Sequence, residues 1–84
     1  MRPAHTPDAI ARYRTVTAAA VLEGRVDLRS YPYRHLAVLC QGVGGDRIAQ
    51  AMAAADLLDR FGWDLVTISE LTTSNSVYAF LRRR

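Results

Sequence analysis

The sequence predicts an α+β domain in which an N-terminal helix precedes a strand-helix-strand-strand unit. Its three strands form a mainly antiparallel sheet in the order first-third-second, with a helix packed on one face. Three observations carry that expectation. An apolar, β-branched run over Tyr33–Gln41 is followed, past a glycine cluster, by an alanine-rich segment of helical period. Gly62-Trp63-Asp64-Leu65 delivers that segment straight into a second strand-like run, and a polar bridge over Thr72–Ser76 then leads to a closing aromatic run over Val77–Leu81.

Residues 1–6 read as a leader, and Thr6-Pro7-Asp8 as a helix start, with Thr6 as N-cap, Pro7 at the first helical position and Asp8 complementing the helix dipole. The spacing predicts one helix over Pro7–Glu23, burying Ile10, Tyr13, Val16 or Thr17, Ala20 and Val21 and closed by Gly24. The rival reading is a strand over Tyr13–Thr17, because Tyr, Val and Thr favour strands; the following Ala18-Ala19-Ala20 and the cap at Thr6 favour helix. Pro32 removes a backbone donor and holds Tyr31 extended, so the first strand is placed over Tyr33–Gln41. Leu36, Val38 and Cys40 point to one side of it, and Ala37 and Leu39 to the other.

Asp46 is read as the N-cap of a second helix reaching Arg60, whose inner stripe is Ile48, Met52, Ala55 and Leu58, flanked by Ala51 and Leu57. In the second strand, over Trp63–Leu71, alternation puts Val66 and Ile68 on one face and Trp63, Leu65 and Thr67 on the other. Each strand beside the helix gains most by pairing with the last strand between them, hence the order first-third-second. The helix covers one sheet face. The other, apolar in all three strands, needs the N-terminal helix, a second subunit, or both.

At 84 residues the chain is one domain with a marginal core, burying only about 60–65% of its unfolded surface. Half its residues are hydrophobic and 23% charged, a globular composition far from disorder. A single cysteine, Cys40, allows no internal disulfide, and His5 and His35 lie too far apart for a zinc cluster, so no metal or cofactor is expected and a cytoplasmic setting fits. No apolar run approaches about 18 residues and the start lacks the apolar stretch of a secretory signal, so membrane insertion and export are not expected. The net charge of +3 equals the contribution of Arg82, Arg83 and Arg84, read as a solubilising end rather than an array of phosphate contacts.

Tyr31-Pro32-Tyr33-Arg34, Leu58 with Gly62-Trp63-Asp64-Leu65-Val66-Thr67-Ile68, and Tyr78-Ala79-Phe80-Leu81-Arg82-Arg83 together resemble the small bacterial domain of unknown function DUF4177. The likeness spans about residues 31–83 and makes residues 1–30 an extension. Asp59 stands where that family's inner glycine would fall, Ala55 where a leucine is usual, and Asp64 in place of a glutamate. The resemblance implies an order of elements and no activity.

Several chemistries are set aside on the residues themselves. Gly42-Val43-Gly44-Gly45-Asp46 between strand and helix invites a dinucleotide reading, but Arg47 occupies the last glycine position and the strands are too few. Gly44, Gly45, Asp46 and Arg47 remain candidates for a small anion. There is no P-loop lysine. His35 and Cys40, five apart on one strand, face opposite ways roughly 16 Å apart and form no dyad. Asp56 and Asp59 read as solvated helix acids.

The expected function is therefore a non-enzymatic protein-interaction or regulatory module that self-associates, preferentially as a dimer, through Tyr33, His35, Ala37, Leu39, Trp63, Leu65, Tyr78 and Phe80. The alternative is a nucleic-acid accessory protein using Arg82, Arg83 and Arg84 with the strand aromatics; the third is an anion sensor at Gly42–Arg47.

Overall fold

The computed structural model describes residues 6–41, 46–71 and 75–84. Along the chain it runs α1 (Pro7–Tyr13), β1 (Thr15–Thr17), α2 (Ala18–Leu22), β2 (His35–Gln41), α3 (Arg47–Asp59), β3 (Trp63–Leu71) and β4 (Ser76–Arg83). The class is α+β, as expected. The sheet has four strands rather than three, in the order β1-β2-β4-β3. The first-third-second arrangement survives inside it as β2-β4-β3, both pairs antiparallel, while β1 adds a parallel edge beside β2.

The extra strand comes from the segment expected to be one helix. Thr6 caps α1 by accepting from the Ala9 N–H at 3.2 Å, with Pro7 at the first position, and Asp8 in the first turn. The helix stops after two turns because Arg14 takes a left-handed φ of 54° while its N–H closes onto the Ile10 carbonyl at 2.7 Å. Thr15-Val16-Thr17 is then β-branched throughout, stiff at χ1 and suited to a strand. Val16 pairs with Val38 and is fully buried. Thr17 ends the strand and starts α2, its hydroxyl accepting from the Ala20 N–H at 3.2 Å. Tyr13, expected inside, is 59% exposed.

Helix α3 follows Asp46, but the Asp46 side chain makes no capping bond and its backbone is not extended, so the expected cap is not formed. The buried row is Ala51, Ala54, Ala55 and Leu58, whereas Ile48 and Met52 face water. Apolar residues occur all round this helix, so periodicity did not select a side. Close approach did: a row of three methyl side chains brings α3 down onto β2, β4 and β3 and against α2.

In β3 the alternation breaks. The pairing runs Leu65↔Leu81, then Thr67↔Phe80, leaving Val66 as an extra residue in a β-bulge. Cross-strand partners share a face, so Trp63, Leu65 and Ile68 lie on the α3 side and Val66 and Thr67 on the other, correcting the regular alternation expected. The last strand is longer than expected, because β4 continues to Arg83. Thr72–Ser74 of the expected turn lie outside the described residues; Asn75, at φ 50°, leads into β4.

One core cluster forms. Ile10 of α1, Val16 of β1, Ala18 and Val21 of α2, Leu36, Val38 and Cys40 of β2, the α3 alanines with Leu58, Trp63, and Val77, Ala79 and Leu81 of β4 belong to it. Every sheet residue in that cluster points to the same side, so α1, α2 and α3 all cover one face.

Candidate functional site

The face opposite the helices carries Ala37 and Leu39 of β2, Tyr78 and Phe80 of β4, and Val66 and Thr67 of β3. Ala37, Leu39 and Tyr78 are half-buried, Phe80 is 40% exposed and Val66 58%. No described helix packs there, a correction that rules out the N-terminal helix, one of the covers expected for this side. Helices α1 and α2 are tied to the other face through Ile10 and Val21.

The face has two unlike ends. At one, Arg14, His35, Ala37, Val66 and Phe80 line a shallow depression of about 370 Å³ reaching from the β1 edge to β3. The Arg14 guanidinium lies 3.7 Å from the centre of the Tyr33 ring, and Arg82 stands in register between His35 and Asp64. In the middle, the rings of Tyr78 and Phe80 stack at 5.9 Å with an 11° tilt. At the far end stand Gln41, Ser76 and Leu71, uncharged, with the Gln41 amide donating to the Ser76 hydroxyl at 3.3 Å.

Of the eight sequence-predicted interface residues, the structure brings Ala37, Leu39, Tyr78 and Phe80 together, with His35 and Tyr33 at the basic end. Trp63 and Leu65 belong to the other side. Trp63 is 2% exposed, its ring 5.8 Å from Tyr31 and 4.8 Å from the Arg83 guanidinium. Sequence reasoning missed Val66 and Arg14, the first because a bulge residue carries no signal of its own in a β-branched run, the second because Arg14 sat inside an expected helix.

The three terminal arginines do not form a free basic tail. Arg83 donates to the carbonyls of Tyr31 at 2.8 Å and Leu28 at 3.3 Å. Arg84 donates to the Asp59 carboxylate at 2.8 Å and carbonyl at 2.7 Å, and pairs with Asp64; the bond to the Asp59 carboxylate, then that to Asp64, raises the Arg84 pKa. Arg82 alone of the three stays on the open face. Two of the three nucleic-acid candidates are thus engaged in holding the chain end against the α3–β3 junction.

Of the anion candidates, Gly44 and Gly45 lie outside the described residues. Arg47 reaches Glu70 at 3.5 Å, an ion pair across the end of the sheet. Cys40 is 4% exposed and its thiol donates to the Gln50 side chain at 3.3 Å. Burial pushes that thiol above its ordinary value, outweighing the downward pull of the Arg47 cation. His35 is exposed and Cys40 buried, so they face apart as the strand spacing requires. Among the described residues, no group of three His, Cys, Asp or Glu could hold a metal ion, and no helix is long and apolar enough to cross a membrane.

No family model, no curated protein and no solved structure matches this chain.

Proposed function

We propose that this chain is a non-enzymatic interaction module that self-associates by pairing its open sheet faces. The observation that carries the reading is the position of the helices. All three described helices lie on one side of the sheet, while Ala37, Leu39, Val66, Tyr78 and Phe80 stand on the other with no described element over them. A second copy suits this face because its charge is confined to one end. In an isologous, two-fold pairing with strands antiparallel, Arg14 and Arg82 of each copy come to lie over the uncharged Gln41–Leu71 end of the other, and no like charges are opposed.

Size sets the strength. Strands about 4.8 Å apart and about 3.3 Å per residue outline a face on the order of 400 Å² per copy, roughly 800 Å² in all, which is below the usual range for specific interfaces and in the weak, transient class. Association is therefore reversible and micromolar. Light scattering over 5 to 500 μM, chosen as the span of about a hundredfold around that affinity, tests it. The expected mass moves from one chain to two, and Phe80→Glu holds it at one. A wild-type mass of one chain throughout would remove the reading.

One observation favours a second occupant of the same face. The stacked Tyr78 and Phe80 rings with Arg14 and Arg82 nearby match the platform-and-cation chemistry that holds single-stranded nucleic acid. Binding to mixed oligonucleotides that weakens steeply with salt and is lost in Phe80→Ala supports it; binding flat with salt removes it.

A further inference from the structure

A second concavity lies on the helix side of the molecule, away from the open sheet face. Its volume is about 670 Å³, within the usual range for small-molecule sites, and it sits between the connector after α2 and the end of α3. Val21, Val26, Leu57, Leu58, Phe61 and Trp63 supply its apolar walls. Phe61, at 71% exposure, stands at the rim as the most exposed large apolar side chain among the described residues.

Three charged residues also line it: Asp27, Arg29 and Arg83. Asp27 and Arg29 neutralise one another at 2.9 Å, and the bonds from Arg29 hold the Asp27 carboxyl down at about 2. Arg83 is different. It is half-buried, its guanidinium lies against the Trp63 ring, and its hydrogen-bond acceptors are the neutral carbonyls of Tyr31 and Leu28. Among the described residues no carboxylate is within ion-pair distance of it. Two of its five N–H donors are used by those carbonyls, so three remain. A partly desolvated cation without a counter-charge, at the wall of an apolar cavity, is electrostatically incomplete.

We propose that the cavity beside Arg83 binds a small amphipathic carboxylate, an apolar chain or ring whose single carboxylate pairs with the Arg83 guanidinium while its body lies along Val21, Leu57, Phe61 and Trp63. The guanidinium fork matches a carboxylate in bidentate geometry, and the pairing is strengthened by partial exclusion of water. The lining charge, two arginines against one aspartate, leaves +1, which a monocarboxylate balances. The proposal does not rest on self-association, because none of these residues lies on the open face.

The test uses the whole chain titrated with sodium decanoate and with 1-decanol, which has the same chain length and no charge. Trp63 is the only tryptophan, so its fluorescence reports on the cavity wall directly. Saturable binding at one decanoate per chain is expected, at least about tenfold tighter than decanol, as one charge-assisted pair requires. Amide shifts should cluster at Val21, Val26, Leu57, Phe61 and Trp63. Arg83→Gln should erase the preference for decanoate. Since Arg83 also holds two carbonyls, a second variant guards the outcome: Phe61→Ser, at an exposed rim position, should weaken decanoate several-fold with the denaturation midpoint unmoved. Equal affinity for decanol, absence of saturation, or shifts centred on Ala37, Leu39 and Phe80 would overturn the assignment.

Discussion

Trp63 joins three parts of the chain at one residue. Its ring is 2% exposed and meets Tyr31 from the connector and Arg83 from the end of β4, just after Gly62, at φ 94°, has released α3. A left-handed φ strains any residue but glycine, so the turn into β3 depends on Gly62 as the packing depends on Trp63. Trp63→Ala is expected to cost about 3–5 kcal/mol, read from the chemical-denaturation midpoint. Tyr31 acts through its phenol, which donates to the His35 carbonyl at 2.6 Å. Tyr31→Phe should cost about 1 kcal/mol, the net worth of a typical hydrogen bond. Burial raises that phenol above 10.0, with Arg14 and Arg83 pulling the other way, so the fold favours the protonated form. That contribution is fully present below pH 10 and fades as pH rises through the folded value. A stability-versus-pH series should show a decline above pH 10 that is shallower in Tyr31→Phe. Cys40, raised by burial, should react with a thiol reagent far more slowly in the native chain than after denaturation.

Among the elements, β3 offers the sharpest test. With Val66 as the inserted residue, its removal leaves Leu65 opposite Leu81 and Thr67 opposite Phe80 in an unbroken ladder. Deleting Val66 should therefore cost no more than about 1 kcal/mol, whereas in a regular strand a deletion turns every later side chain to the wrong face. Thermal unfolding of the deletion variant decides between them. The elements differ in how far sequence reveals them. Strands β2, β3 and β4 and helix α3 follow from β-branched runs, the Gly62-Trp63 step and helical period, which are local signals. The break at Arg14 was half legible: the β-branched Thr15-Val16-Thr17 gave the rival strand reading over Tyr13–Thr17, and β1 falls within it, but what selects strand over helix is the pairing of Val16 with Val38 across the sheet, which no local pattern shows. The same holds for α3, where alanines rather than Ile48 and Met52 face inward because only a small row lets the helix sit close to the strands.

For the molecule as a whole, half of the candidate site was legible and half was not. An apolar second face was readable from Ala37, Leu39, Tyr78 and Phe80. Its emptiness was not, since a helix of seventeen residues could have crossed it, and only the division of that segment into α1, β1 and α2 places its apolar groups on the helix side. The terminal arginines mislead in the opposite direction: a basic run in sequence becomes, for Arg83 and Arg84, a set of contacts closing the chain end. An exposed sheet face with an aromatic pair at its centre is an aggregation hazard unless something pairs with it, and the proposed reversible pairing with its own copy would remove the hazard. Light scattering on the wild type and Phe80→Glu across micromolar concentrations tests that claim most directly. The account predicts a wild-type mass rising from one chain to two and a variant that stays at one with its fold intact. A wild type that stays at one chain to the highest concentration, or a Phe80→Glu variant that still pairs, would contradict it.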